Sequence, residues 1–434
     1  MDTFHYTKTI NILNRYDVIV AGSGPSGVCA AVSAARLGAR TAVVERYGVL
    51  GGNLTAGAVG PIMGSVAKGT LRDELTGLLG VGHNDIQGRK GHVHDMDHSK
   101  RAIAEFLARA GVDVYLQTPV VDSIVENNGV NGVVVSLKNG LAALMGKTVV
   151  DATGDGDVAA LSGARYEIGR ESDGLLQPVT LMYVLDHVDE SRALTCIGEE
   201  DNVMLGEERF LDFTARCSGD GTLPPNTSSV RLYQTVNPGE RLVNTTQLNY
   251  VNPLNPEEVI KAELELRRQI DRVTDFLRKH VPGYENCRIR STASTLGVRE
   301  TRRVMGQYIL HEDDLRVGRR FEDVVVHNAN FVIDIHNPTG GGQANGLAEV
   351  VRAYDIPYRC LIPESLDNLV LTGRCISGTH QAHASYRIMT VCMALGEAAG
   401  IAAALAAKNE VRPRELDAGK IQEVLLERGA VLFD

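Results

Sequence analysis

Residues able to move a proton or grip an anion gather in three short stretches: Gly297 to Arg303, Asp334-Ile335-His336, and Thr379-His380-Gln381-Ala382-His383 followed by Arg387. A neutral histidine near pH 7 can take the proton of a hydroxyl or amine while the adjoining carbon gives up a hydride. His336 and His380 are the candidate bases for that task. If the reaction is instead saturation of a C=C bond in an unsaturated acid, an arginine must orient the carboxylate, which brings Arg387 and Arg302 forward. A bland reading stands beside each: histidines in glycine-rich loops are often structural, and Arg299, Arg302 and Arg303 can pair with Glu300 or cap helices.

Such groups need a partner that accepts or supplies electrons, and the elements that would position one lie far away in sequence. Tyr16 to Ala21 reads as a buried strand, Gly22-Ser23-Gly24-Pro25-Ser26-Gly27 as a tight turn, and Val28 to Leu37 as a helix. This is the strand, turn and helix context that a dinucleotide fingerprint requires. Gly22 permits the turn, Gly24 lets a pyrophosphate approach the backbone, and Gly27 lets the helix pack on the strand. Free N–H groups of the first helical turn face the phosphates. A second strand, Thr41 to Val44, ends at Glu45, about twenty residues past the glycines, where a carboxylate accepts ribose hydroxyls and disfavours a 2′-phosphate.

Composition excludes several classes. A chain of 434 residues is long enough for two or three lobes. A net charge of -10 without basic clusters argues against nucleic acid or an anionic membrane as partner. The opening residues do not read as a secretory leader, and no uncharged apolar run reaches about eighteen residues. Leu395 to Lys408 contains Glu397 and reads as a packed core helix. Seven cysteines without a C-x-x-C pair leave no thioredoxin-like disulfide or iron–sulfur ligand set, so a reduced, cytoplasmic protein is expected. His92-Val93-His94-Asp95-Met96-Asp97-His98 has metal-like composition but lacks the H-E-x-x-H glutamate, and Asp97 or Ser99 there can cap a helix. No metal is expected. Gly340-Gly341-Gly342 reads as a substrate-side loop, not a phosphate cradle, because no GK[ST] follows.

Between the chemistry-bearing segments, Gly48 to Gly69 reads as a glycine-rich loop with free N–H groups at Gly51-Gly52-Asn53. Lys100 to Ala110 is helical, and three strands near Val120 to Val125, Gly129 to Leu137 and Leu141 to Val150 form a meander. The last of these runs into Asp151-Ala152-Thr153-Gly154-Asp155. A helix at Pro256 to His280 opens on proline and two glutamates and carries one apolar stripe. Leu369 to Leu371 is a strand leading to Gly373, and a final helix is expected over Ser385 to Ala407. The fold class that follows is α/β: a discontinuous dinucleotide-binding domain, residues 1–163 and 331–434, with an inserted α+β substrate lobe at 164–330.

Taken in order, the glycine fingerprint with Glu45, the Asp151 to Asp155 turn, Gly297 to Arg303, Asp334 to His336, Tyr354 to Tyr358 and Asn368 to Arg387 resemble the FAD-dependent oxidoreductase family of the glutathione-reductase-like flavoprotein fold. The resemblance spans about Asp17 to Ala407. It implies one noncovalent FAD with its adenosine half on the first βαβ unit. It places Gly22, Gly24, Pro25, Ser26 and Gly27 on the pyrophosphate and Glu45 on the ribose. Arg46, Gly51, Gly52 and Asn53 fall along the dinucleotide, and the backbone of Val121 against adenine. Thr153, Gly154, Asp155, Gly373, Arg374 and Ser385 close over the remainder. The N-terminus of the last helix, carrying roughly half a positive charge, would stabilise an anionic reduced flavin. The expected activity is hydride transfer between a small CH–OH or CH–NH substrate and flavin N5. The alternatives are reduction of an unsaturated acid and, outside substrate chemistry, an electron-transfer subunit or nucleotide-binding scaffold. The partners implied are a small-molecule substrate and an electron acceptor or donor of unknown kind. A self-paired homo-oligomer is the default expectation for a soluble enzyme of this size.

Overall fold

The structure is a computed structural model that describes residues 3–80, 93–198, 201–227, 229–344 and 348–433. Its organising element is a sheet of strands β1 (Asn11–Ala21), β2 (Thr41–Val44), β3 (Asp113–Tyr115), β4 (Val120–Glu126), β5 (Gly129–Leu137) and β6 (Gly140–Asp151) in the order β3-β2-β1-β6-β5-β4. Runs of Val, Ile and Ala buried on both faces suit the centre of the parallel part, β2-β1-β6, with β3 as its exposed edge. β6 is long enough to serve two purposes. Its first half pairs antiparallel with β5 in the expected meander, and Val149 to Asp151 pair parallel with Leu369–Leu371. The crossover helix α1 (Pro25–Arg36) starts with proline in its first turn, where the missing N–H costs nothing.

Register decides where the site must be. Ala21 is level with both Val44 and Asp151, and Leu371 is level with Asp151. The carboxyl ends of four strand segments therefore form one edge, the position at which open α/β sheets bind ligands. Segments more than three hundred residues apart meet there because one strand lies between them.

The last long helix, Met389–Asn409, packs against α1 at backbone contact distance. A Cβ at Gly396 would stand 2.0 Å from the Ser26 carbonyl oxygen, and one at Gly400 2.1 Å from that of Ala30. Any side chain at either position would push the two helices apart. This helix is long and apolar enough to cross a membrane, but 89% of its apolar window is buried in the protein, as in a core helix. The expected single helix over Ser385 to Ala407 is two helices, His380–Tyr386 and Met389–Asn409. They part because Ile388 turns extended and packs toward Gly64, while Arg387 reaches across to Asp334.

A second core is built on a four-stranded antiparallel sheet, in the order Arg231–Gln234, Arg241–Asn244, Tyr183–Asp186 and Arg288–Thr292. The helix Pro256–His280 lies on it through Leu266, Ile270, Val273 and Leu277, and each such buried side chain contributes about 1.5–3 kcal/mol. This core draws on residues from Val179 to Leu296, with Ala58 and Val93 from the first part of the chain. Val304 to Ala329, which the expected boundary at 330 assigned to the inserted lobe, pack into the first core. The reason is that Arg302–Val304 pairs with Tyr166–Ile168, and Val324–Ala329 pairs with Tyr354–Pro357. Asp95, not Asp97 or Ser99, caps the helix that follows it, accepting from the Asp97 and His98 amides.

Candidate active site

A single cavity at the carboxyl edge of the sheet is lined by Gly22, Gly24, Pro25 and Ser26 from the glycine turn, Glu45 and Arg46 past β2, and Gly52 and Asn53 from the following loop. Thr153, Gly154 and Asp155 line it from the turn after β6, and Gly373, Arg374 and Arg387 from the C-terminal segment. The two ends of the chain thus open into the same space. Gly22 has φ +97°, and a Cβ on it would meet the Ala152 carbonyl oxygen at 2.5 Å, so the turn after β1 and the turn after β6 touch through a missing side chain. At Gly24 the space a Cβ would take is open, which leaves the backbone at the start of α1 accessible to a phosphate.

The acidic residues of this half are firmly held. Glu45 is buried and accepts from the Ser23 amide (2.9 Å), the Ser23 hydroxyl (2.5 Å) and the Tyr47 amide (2.8 Å). An ionised carboxylate has about four acceptor positions, so capacity for a ribose hydroxyl remains. Asp151 accepts from the Thr153 amide and hydroxyl and from the Ala159 amide. Full burial nevertheless pushes its carboxyl up to about 6. Asp155 accepts from Thr301 (2.9 Å) and pairs with Arg374 (2.9 Å) and Arg46 (3.2 Å). Burial opposes its ionisation, but the guanidiniums of Arg374 and Arg46 outweigh that and hold it below the usual carboxylate range. One carboxylate thereby ties together the first βαβ unit, the C-terminal segment and the Gly297 to Arg303 stretch.

Several expected contacts fall elsewhere. Val120 lines the cavity and the Val121 side chain faces outward, which leaves the Val121 backbone as the part of that residue that could meet adenine. Gly27 and Gly51 are absent from the lining. Gly27 packs against the Gly22 carbonyl, and the Gly51 amide donates to the Ser23 carbonyl at 2.9 Å, so both shape the turn from behind. Ser385 donates to the Phe331 carbonyl (2.6 Å) and meets the Tyr354 hydroxyl (2.9 Å) inside the core. With the helix broken at Ile388, the terminus beside the cavity belongs to Met389–Asn409, whose Met389 and Cys392 line it. Arg302 also leaves the list of substrate-facing groups. Its guanidinium bonds to Asp157 (2.8 Å) and the Asp155 carbonyl (3.0 Å) and lies over the Tyr166 ring.

The candidate bases form two histidine–carboxylate pairs. His336 Nε2 lies 3.4 Å from Asp334, whose carboxylate also pairs with Arg387 (2.9 Å) and accepts from Gln343 (2.6 Å). Burial, reinforced by the positive charge of Arg299, lowers His336 to about 4, so it is neutral at pH 7. Asp334 is ionised: burial disfavours its charge, but His336 and Arg387 hold it well below the normal range. His380 Nδ1 lies 2.8 Å from Glu300, which also pairs with Arg303, while His380 Nε2 is buried without a partner among the described residues. Gln177, unremarked in the sequence, links the pairs: its backbone N–H donates to Glu300 (3.4 Å) and its Oε1 accepts from the His336 backbone N–H (3.2 Å). The signal was a polar residue in an apolar run ahead of a strand, which is weak. His92 of the histidine-rich stretch lies outside the described residues. His94 contacts Ser99 (2.8 Å), and His98 contacts the Leu78 carbonyl (2.9 Å). Among the described residues no cluster of three His, Cys, Asp or Glu could hold a metal.

A glycine turn with an open backbone, a ribose-side acid, and a helix terminus from the far end of the chain define an α/β flavoprotein oxidoreductase with a Rossmann-type FAD site. Residues 17–425 match the FAD dependent oxidoreductase family, and the chain belongs to it. It is similar to the thiamine thiazole synthase of Pyrococcus horikoshii, 29% identical over 35% of this chain and 62% of that one. It is also similar to the digeranylgeranylglycerophospholipid reductase of Thermoplasma acidophilum, 27% identical over 33% of this chain and 40% of that one. The chain thus spans less than two thirds of the length of either relative. Among solved structures, a geranylgeranyl bacteriochlorophyll reductase-like protein from Thermoplasma acidophilum superposes with a TM-score of 0.51 at 16% identity, covering 96% of this chain and 84% of that one. That likeness concerns the fold. The cofactor is FAD, and the open glycine turn, Glu45 and the Asp155–Arg374 pair fit it.

Proposed function

We propose that the enzyme oxidises a small organic substrate of the CH–OH or CH–NH type, with His336 receiving the heteroatom proton. FAD, when bound, supplies the hydride acceptor. The observation that carries the reading is the His336–Asp334–Arg387 chain, which joins a neutral imidazole to a side chain lining the cofactor cavity. Asp334 faces Nε2 and so favours the tautomer protonated there, leaving Nδ1 as the lone pair that accepts a proton. Asp334 also stabilises the imidazolium once it forms. His380, oriented by Glu300, is the second candidate for the same role.

A second reading, reduction of an unsaturated acid, draws support from Arg387, which stands at the cavity and could orient a carboxylate. We place the enzyme in the cytoplasm, working with a small-molecule substrate and a separate electron acceptor, without nucleic acid or membrane insertion. Anaerobic mixing with panels of alcohols, amines and unsaturated acids separates the two chemistries. Bleaching of the oxidised flavin by an alcohol or amine is the expected result. A flavin that no such compound bleaches, but that reoxidises from its reduced form with an unsaturated acid, would overturn the first reading.

A further inference from the structure

The segment Gln177-Pro178 joins two parts of the molecule that the proposed chemistry treats separately. Gln177 Oε1 accepts from the His336 amide, and the Pro178 carbonyl accepts from Arg299 Nη1 at 2.6 Å. Arg299 therefore stands beside the His336–Asp334–Arg387 chain, with Arg231 also close enough for its charge to act on His336. The charges do not balance. Two guanidiniums, Arg299 and Arg387, and a neutral imidazole stand against the carboxylate of Asp334. That carboxylate is already shared among Arg387, His336 and Gln343. The crowding acts on Arg299 itself: burial, and after it the charge of Arg387, lowers its guanidinium to about 9.

Two buried donors in the same cluster point to something still to be bound. The Gln177 side chain is 1% exposed and its Nε2 has no partner among the described residues; the Nε of Arg387, on a side chain 13% exposed, has none either. Buried donors of this kind ordinarily find an acceptor, and an anion that meets guanidinium and amide N–H groups together satisfies them and the excess charge at once.

We infer that Arg299, Arg387 and Gln177 form a carboxylate subsite beside His336, so that the substrate is a small organic acid bearing its reactive CH–OH or CH–NH carbon next to the carboxylate. The inference rests on the proposed role of His336, but binding can be read without turnover. A carboxylate is favoured over a phosphate because the phosphate-binding element, the open Gly24 turn and the start of α1, belongs to the cofactor.

The test titrates the FAD-loaded enzyme with redox-inert acetate, 2-furoate and benzoate, with the corresponding amides, and with inorganic phosphate, following the flavin difference spectrum and calorimetry. At least one carboxylate is expected to bind, its amide at least tenfold more weakly. Arg299→Met is expected to lose at least tenfold in carboxylate affinity at unchanged FAD content, and Arg299→Lys to recover part of it. If Arg299→Met fails to fold, Arg299→Lys alone and the weakening of binding with added salt carry the test. Equal binding of acid and amide, tighter binding of phosphate, or no carboxylate binding would overturn the subsite. So would an Arg299→Met variant that lowers the flavin potential while leaving carboxylate affinity unchanged, since the cation would then serve the reduced flavin. Carboxylate binding in an enzyme whose flavin no alcohol or amine bleaches would count against the proposed reaction and leave the subsite standing.

Discussion

The dinucleotide cradle and the Gln177–His336–His380 seam are built from the same kinds of residues and differ in how their polar groups end. In the cradle, Glu45, Asp151 and Asp155 are each answered by two or more donors from the protein itself. In the seam, Gln177 Nε2, His380 Nε2, His383 Nδ1 and Arg387 Nε are buried without protein partners among the described residues. Each unanswered group costs about 1–3 kcal/mol, a cost that core packing alone gives no reason to retain. The contrast separates carboxylates fixed by the protein before a ligand arrives from donors left for a ligand to meet. The first are prepared to hold the cofactor in one pose, and the second to distinguish among substrates.

The largest effect should come from filling the one open position in the cradle. Gly24→Val would place two methyl groups where the dinucleotide backbone passes and should weaken FAD binding roughly 100-fold or more. Fluorescence titration of the apoprotein measures it. Unchanged affinity would mean that the cradle is not the phosphate site.

In the seam, His336→Gln should slow flavin reduction by about 10²- to 10⁴-fold while leaving FAD affinity within about twofold, the span usual for a lost general base. Stopped-flow reduction under anaerobic conditions measures the rate. The same variant tests the burial of the imidazole. Because the folded value is about 4 and the ordinary one 6.5, the unfolded chain binds the proton first. The wild type should therefore lose stability relative to His336→Gln as pH falls from 6.5 toward 4, by up to about 3 kcal/mol. A constant difference across that window, from denaturant melts, would show that His336 is not held neutral by the fold.

The smallest effect belongs to a residue outside both regions. Ser385→Ala removes hydrogen bonds to Phe331 and Tyr354 in the core and should cost about 1 kcal/mol of stability with no change in FAD affinity. A large loss of FAD binding would return Ser385 to the cofactor site.

Much of the cradle was legible because backbone physics demands particular residues there. Only glycine accommodates the turn at Gly22, and strand, turn and helix succeed one another in the chain. The strands carrying Leu371 and Asp151 were visible as two apolar runs, each ending in a turn, whereas their side-by-side register was not. Errors arose where one residue decides a direction. The break at Ile388 leaves no proline or glycine to announce it. The seam was least legible: His336 and His380 were visible as residue types, but Gln177 acquires its role only when Glu300 and the His336 backbone, distant in sequence, close on it. Gly396 and Gly400 passed as ordinary residues of an alanine-rich helix until the approach of α1 gave them a purpose.

FAD binding in this chain requires its two ends to close on one dinucleotide. Stoichiometric titration of the apoprotein with FAD, performed on the wild type, Gly24→Val and Arg374→Ala, tests this most directly. One FAD per chain, released intact by acid precipitation and weakened by substitution at either end, is the predicted result. A wild type that binds no FAD, or an affinity untouched by changes at Arg374, would contradict it.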